Sequence, residues 1–348
     1  MLPRYRSVVA SAFLIACLAT TTVQAEKVPT DPFTERTEVQ AFIAEMVADH
    51  GFDRDELYSL LAAIAPVPKA IALIKPPADP GVRSWQRYRS RFIEPKRIAA
   101  GKRFMARYAT ELERAEARYG VPRAIIGGII GVETIYGKHT GTFNALATLT
   151  TLAFDYPPRA ELFRKELREL LLMARSEQRS PGTYQGSFAG ALGLPQFLPS
   201  SIRAYAIDFD GDGHIDLQES VADAIGSVAN YLAVHGWQRD QPVATTVIAT
   251  GTGIDAAVAE GISPRRNADE WREQGVDVRQ VGAGETALEL PSALRSLPAA
   301  LIDLITPAQP TEYRLGYQNF YVITRYNKST FYASAVMDLA EELAPSKR

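Results

Sequence analysis

GGIIGVETIYG, residues Gly127 to Gly137, sets a single carboxylate, Glu133, among Ile and Val residues. A charge in such surroundings costs stability unless it is paired or protonated. Val121, Ile125, Ile129 and Val132 fall on one side of a helix that begins near Pro122, and Ile126 and Ile130 widen the stripe. That helix is expected to be buried, with Glu133 close to its end. A helix C-terminus carries partial negative charge and disfavours a carboxylate, and burial disfavours it too, so both raise the pKa. A carboxyl kept protonated near neutral pH can serve as a general acid. The other reading is a buried glutamate satisfied by an arginine.

Outward from this helix the chain is mainly α with a small β part. Residues 35–65 show helical period through Val39, Phe42, Ile43, Met46, Val47, Leu57, Leu60 and Leu61. Residues 67–80 hold four prolines and predict a connecting loop. Residues 95–120 are amphipathic and end at Gly120, and further helices are expected around 159–175 and 220–234. The β-branched run 243–249 reads as a strand, and 250–310 as short helices and turns. Residues 313–327 have strand composition with Gly316 as a turn, and 330–343 close the chain as a helix.

Composition narrows the function. The 348 residues are 46% hydrophobic and 22% charged, enough for a large folded body. A net charge of -2 implies no general affinity for nucleic acid. Residues 1–25 read as a secretory signal peptide: Arg4 and Arg6, an apolar run from Val8 to Ala19, then the small-residue site Val23-Gln24-Ala25. Its only charges are the two arginines, so the mature chain carries -2 - 2 = -4. The expected location is the periplasm. The alternative is an outer-membrane lipoprotein acylated at Cys17, because Leu14-Ile15-Ala16-Cys17 resembles a lipoprotein box. Cys17 is the only cysteine, so cleavage after Ala25 removes disulfides and thiol chemistry from consideration. His50, His139, His214 and His235 lack metal-ligand spacing, which argues against a catalytic zinc.

Asp208-Phe-Asp-Gly-Asp-Gly-His-Ile-Asp-Leu-Gln-Glu219 places acids at positions 1, 3, 5, 9 and 12 of an EF-hand-type loop, with Gly213 at position 6. A hard cation wants six to eight oxygens, and alternate residues of a tight loop supply them. The expected ligands are Asp208, Asp210, Asp212, the backbone carbonyl of His214, and Glu219. A single loop of this kind points to structural calcium; no organic cofactor is expected. An acidic turn without an ion is the alternative.

Tyr184 to Ser201, YQGSFAGALGLPQFLPSS, is rich in glycine and poor in charge, and lacks phosphate-loop spacing. Backbone amides, Ser187, Gln196 and Phe197 suit a sugar groove; a packing loop between helices explains the stretch equally well. Residues 83–92 interleave four arginines with Trp85, Tyr88 and Phe92. After export, acidic groups are the expected partners of that segment, unless it is a solvated helix with its aromatics inward.

Five segments, VPRAIIGGIIGVETIYGK, ALATLTTLAFDYPPRAELF, GSFAGALGLPQFLPSSIRAYAIDFDGDGHIDL, DAIGSVANYLAVHGW and NFYVITRYNKSTFYA, occur in the order in which they resemble the lytic murein transglycosylase B family. The resemblance runs from about Trp85 to Ala335. It implies a lysozyme-like catalytic core and cleavage of the β-1,4 bond between N-acetylmuramic acid and N-acetylglucosamine in peptidoglycan strands. Glu133 matches the single catalytic glutamate, which protonates the bridging oxygen and then takes the proton of the muramoyl C6 hydroxyl as it attacks C1. The product is a 1,6-anhydromuramoyl end, which makes the enzyme a lyase. Ser187, Gln196, Phe197, Tyr231, Tyr326, Asn327 and Tyr332 match groove positions, and Tyr88 and Arg159 further binding positions. Pro158 stands where the family often has a second arginine. Asp223, at the start of the next helix, competes with Glu219 as the closing calcium ligand.

The expected organisation is a signal peptide at 1–25, an N-terminal α region at 26–120, the core at 121–240 with the calcium loop at 208–219, and a mixed α/β region at 241–348 that completes the groove. A monomer is expected; proteins of cell-wall synthesis or lysis are the partners the resemblance leaves open, none identified. Two other functions compete. A hydrolytic muramidase would leave reducing ends in place of anhydro ends. A calcium-stabilised wall-binding protein would have no need of Glu133, Ser187 and Gln196 together.

Overall fold

The computed structural model describes residues 33–76 and 81–345. The expected export signal at 1–25, with Cys17, lies outside the described residues. Residues 35–65 form two helices, α1 (Thr37–His50) and α2 (Arg54–Ala62). They break at Gly51, whose φ of 65° suits a left-handed helix end, and Asp53 caps the second by accepting from Glu56 N–H at 2.9 Å. The expected loop at 67–80 contains a helix instead, α3 (Pro68–Ile74). Pro68 sits at its start, where a missing N–H costs nothing, so the proline that suggested a loop begins a helix.

α4 (Trp85–Arg89) follows, then the amphipathic stretch divides into α5 (Pro95–Arg107) and α6 (Ala109–Tyr119), which stops at Gly120 with φ 72°. The Glu133 helix is α7 (Arg123–Thr134), buried along nearly its whole length. A two-residue strand, β1 (Phe143–Asn144), leads into α8 (Ala145–Asp155) and α9 (Ala160–Ser176). β2 (Gln185–Gly186) pairs antiparallel with β1, and α10 (Pro199–Tyr205) and α11 (Val221–Val234) complete this part.

The C-terminal third holds more strand than expected. After β3 (Ala244–Thr250) come α12 (Ile254–Ala259), α13 (Ala268–Glu273), β4 (Asp277–Val281), β5 (Ala287–Leu288), α14 (Ser292–Arg295), β6 (Ala300–Leu304) and β7 (Glu312–Gly316). They form an antiparallel sheet in the order β5-β4-β3-β7-β6. β6 is buried almost throughout, which erases the alternation that identifies a strand. The strand expected over 313–327 stops at Gly316, and the rest is α15 (Gln318–Tyr326). Its β-branched and aromatic residues serve here to fill the core: Phe320, Val322 and Ile323 are fully buried. α16 (Thr330–Leu343) closes the chain as expected.

One apolar cluster joins the N-terminal helices, α7–α11 and α15–α16; a smaller one lies around Trp271 and the sheet. The central contact is α7 against α16. Gly128 makes it close: a Cβ there would fall 2.8 Å from the Val336 carbonyl. A mid-helix glycine costs about 1 kcal/mol against alanine, and here the closer helix crossing is what that cost obtains. Among the described residues no helix is long and apolar enough to cross a membrane.

Candidate active site

The α7–α16 crossing brings Glu133 and Tyr332 together. Tyr332 O–H donates to Glu133 Oε1 at 2.6 Å, though 199 residues separate them in sequence. Tyr332 is buried, while Glu133 keeps part of its surface open to solvent. Burial raises the Glu133 carboxyl to about 7, and the Tyr332 hydrogen bond pulls the other way. Among the described residues no arginine pairs with it. Arg97 turns instead to the helix end, donating to the carbonyls of Gly131 at 2.8 Å and Val132 at 3.2 Å. A buried guanidinium thus satisfies the Val132 carbonyl and shares that of Gly131 with the Ile135 N–H.

The chain leaves α7 sharply. Ile135 and Tyr136, neither a glycine, both have positive φ, 51° and 58°, and Gly137 follows at 88°. Consecutive left-handed residues cost free energy and persist only where surroundings impose them. Thr134 is the clamp: its Oγ1 donates to the Leu194 carbonyl at 3.0 Å and accepts from Gly137 N–H at 3.0 Å. The glutamate helix is thereby tied to the glycine-rich loop.

That loop is built around Ser187 and Gln196. Ser187 Oγ accepts from Ala189 N–H at 3.3 Å and Ala191 N–H at 3.1 Å. Gln196, at φ 51°, donates through Nε2 to the carbonyls of Thr140 and Gly193, both at 3.0 Å. Its Oε1 has no partner among the described residues and is free to accept. Phe197 is buried at 2% exposure and packs on Tyr231 and Tyr326, with centroids 5.4 and 5.6 Å away. So buried, its ring offers little face to any ligand.

Tyr231 is also buried; its O–H donates to the Arg325 carbonyl at 2.7 Å, and burial pushes its phenol up to about 12. Tyr326 donates to the Pro195 carbonyl and stacks on Tyr332 at 6.2 Å and 14°. Burial and then the Glu133 charge push the phenols of Tyr88, Tyr326 and Tyr332 upward, which places all three beside the acid. Asn327 ends α15 exposed, with its side-chain amide unbonded among the described residues. Arg159 is exposed on the α8–α9 connection, its guanidinium 5.5 Å from the Phe163 ring centre.

In the acidic loop, Asp208, Asp210 and Asp212 each bring one carboxylate oxygen within 4.8 Å of the others. Oxygens lying 2.3–2.6 Å from a calcium ion are at most about 5 Å apart, so the cluster fits such an ion. Gly211 and Gly213 turn the loop at φ 84° and 93°. Asp208 accepts from Gly213 N–H at 2.9 Å, and such bonds lower its pKa. Asp223 is buried, and its oxygens accept from Phe209 N–H at 2.7 Å and Asp216 N–H at 2.9 Å. It holds the loop's backbone. Glu219 is exposed and outside the three-aspartate cluster.

Sequence reading missed Arg97 and Thr134. Both act on backbone groups of distant segments, and neither leaves a motif.

A family model for the transglycosylase SLT domain matches residues 34–341. The membrane-bound lytic murein transglycosylase B of Escherichia coli K12 is 42% identical over 322 residues, covering 90% of this chain and 84% of that one. The soluble lytic transglycosylase SltB1 of Pseudomonas aeruginosa is 43% identical with a TM-score of 0.80, over 88% of this chain and 98% of that one. The Escherichia coli lytic transglycosylase Slt35, solved in complex with calcium, is 39% identical with a TM-score of 0.74, over 90% of this chain and 93% of that one. A matched domain spanning nearly the whole fold, with a partly buried, protonatable glutamate on its central helix, leads to one conclusion: the chain belongs to the transglycosylase SLT family and is a lytic murein transglycosylase.

Proposed function

We propose that the enzyme cuts the β-1,4 bond between N-acetylmuramic acid and N-acetylglucosamine with Glu133 as its sole acid and base. The carrying observation is a lone carboxyl raised to about 7 and hydrogen-bonded to a tyrosine. Tyr332 occupies Oε1, which leaves Oε2 to carry the proton. Glu133 protonates the bridging oxygen, the C1–O bond breaks and the N-acetylglucosamine leaves as an alcohol. The resulting carboxylate then accepts the proton of the muramoyl C6 hydroxyl as that oxygen bonds to C1. No water is consumed, and Glu133 regains its proton.

Ordinary glycosidases place a second carboxylate to activate water or to attack C1. Here Glu133 is the acid that acts on Tyr88, Tyr326 and Tyr332. An attacker on the same sugar needs no second acid, since intramolecular effective molarities reach about 10⁵–10⁸ M. Ser187, Gln196 and Asn327 supply hydrogen bonds to the glycan, and Tyr88 and Tyr326 shape the wall beside the acid. Phe197, Tyr231 and Tyr332 hold that wall from behind.

The loop at 208–219 would hold calcium through Asp208, Asp210, Asp212 and the His214 carbonyl, with Glu219 closing the site and Asp223 bracing it. The ion would supply positive charge to a cluster of carboxylates and so fix the loop; no chemical step uses it. We assign the division of labour accordingly: 26–120 as supporting helices, 121–240 as the core, 241–348 as the completing wall. Export to the periplasm follows from the signal at 1–25.

Glycan O-acetylated at the muramoyl C6 oxygen tests the route. Such strands should resist cleavage and regain sensitivity once the acetyl groups are removed. Free cutting of the acetylated strands favours the muramidase reading.

A further inference from the structure

The end of the acidic loop is bonded to the glycine-rich loop. Leu194 N–H donates to the Leu217 carbonyl at 2.9 Å, and Gln218 Nε2 donates to the Gln185 carbonyl at 3.0 Å. The backbones come close here, since a Cβ on Gly193 would fall 2.3 Å from the Leu217 carbonyl oxygen. Gln185 lies just before Ser187, and Leu194 just before Gln196, so both arms of the glycine-rich loop are held. The opposite side of Leu194 faces the glutamate helix, because its carbonyl accepts from Thr134 Oγ1 at 3.0 Å. The loop that carries Ser187 and Gln196 is therefore fixed on one side by the residue after Glu133 and on the other by Leu217 and Gln218.

The second support depends on how the acidic loop is held. Asp208, Asp210 and Asp212 bring carboxylate oxygens within 4.8 Å of one another, and like charges repel. A bound cation turns that repulsion into attraction. The effect reaches the far end of the loop through its own hydrogen bonds. Asp216 accepts from the N–H groups of Gln218 at 2.9 Å and Glu219 at 3.1 Å, and its own N–H donates to Asp223 at 2.9 Å. Gln218 Oε1 is buried with no partner among the described residues, so the bond to Gln185 is what fixes this amide. We propose that calcium in the acidic loop positions the glycine-rich loop for glycan, with Gln218 as a positioning residue, so that ion and glycan bind cooperatively. The proposal rests on the calcium and transglycosylase readings and links the two sites.

Calorimetry on the Glu133→Gln protein tests it, with a tetrasaccharide of alternating N-acetylglucosamine and N-acetylmuramic acid as the probe. The temperature is chosen so that circular dichroism shows the chelated protein fully folded. The tetrasaccharide Kd should be about fivefold lower in calcium than in chelator. The calcium Kd should fall by the same factor when the tetrasaccharide is present, because coupling is reciprocal. An ion that only stabilises the fold moves neither constant. Adding Asp212→Ala should give the chelated affinity in both buffers, which separates calcium in the loop from calcium on the sugar carboxylates. Gln218→Met keeps the length of the side chain and loses the donor. It should bind calcium alone as before and reduce the coupling to about twofold. Glycan affinity independent of calcium, absence of calcium binding, or full coupling in Gln218→Met overturns the proposal. Product chemistry keeps the two claims apart: anhydro ends from the unaltered enzyme, in calcium and in chelator alike, uphold the transglycosylase reading whichever way the coupling falls.

Discussion

Tyr332 O–H donates to Glu133 Oε1 at 2.6 Å, so a residue of the last helix sets the state of the acid on the central one. The bond favours the carboxylate, while burial favours the acid and prevails. Tyr332→Phe removes the opposing influence without changing shape. The Glu133 pKa should then rise, and the alkaline fall of kcat/KM, centred near 7 in the unaltered enzyme, should move to higher pH. The rate should drop about tenfold, the worth of one hydrogen bond to an ionisable group. A pH-rate profile checks both.

Glu133→Gln keeps the acceptor for Tyr332 but cannot deliver a proton. Cleavage should fall about 10²–10⁴-fold. Stability should move the opposite way with pH. The folded pKa of about 7 lies above the usual 4.5, so this group's favourable contribution is complete below the lower value and is lost as pH rises through 7. Thermal melting of the glutamine variant should therefore match the unaltered enzyme near pH 4, exceed it increasingly as pH rises from 4.5 to about 7, and keep a constant lead above that, on the order of a few degrees.

The two helices meet through Gly128, where a Cβ would lie 2.8 Å from the Val336 carbonyl. Gly128→Ala gains about 1 kcal/mol of helix propensity, but overpacking against a backbone atom costs about 1–3 kcal/mol. The net change should be a lower melting temperature, with lower activity because the Glu133–Tyr332 spacing widens. Calorimetry and a cleavage assay check this together.

Calcium at millimolar concentration should raise the melting temperature by roughly a few degrees, since binding to the native state alone stabilises it by mass action. Asp212→Ala should erase the shift, and glycan cleavage at low temperature should survive chelation. Equal melting in calcium and in chelator would show that the loop takes no ion.

The acid and the acidic loop were legible because local sequence carries them. Glu133 is conspicuous among Ile and Val, and alternating aspartates mark the loop. What depends on tertiary contact was not. Residues 318–326 have strand composition, yet they fold as a helix because burying Phe320, Val322 and Ile323 outweighs a weak local preference. The proline-rich 67–80 concealed α3 because a proline at a helix start looks like one in a loop. Ser187, Gln196 and Phe197 were picked out, but only the fold shows that Phe197 is buried. Arg97 binds carbonyls 34 and 35 residues away, which no pattern announces.

The central claim is that Glu133 closes a ring within the substrate and activates no water. Digestion of purified sacculi in heavy-oxygen water, followed by mass spectrometry of the muropeptides, tests it most directly. The account predicts anhydromuramoyl ends, each one water lighter than the hydrolytic product and free of solvent oxygen, and their disappearance with Glu133→Gln. Reducing muramic acid ends carrying heavy oxygen would contradict it.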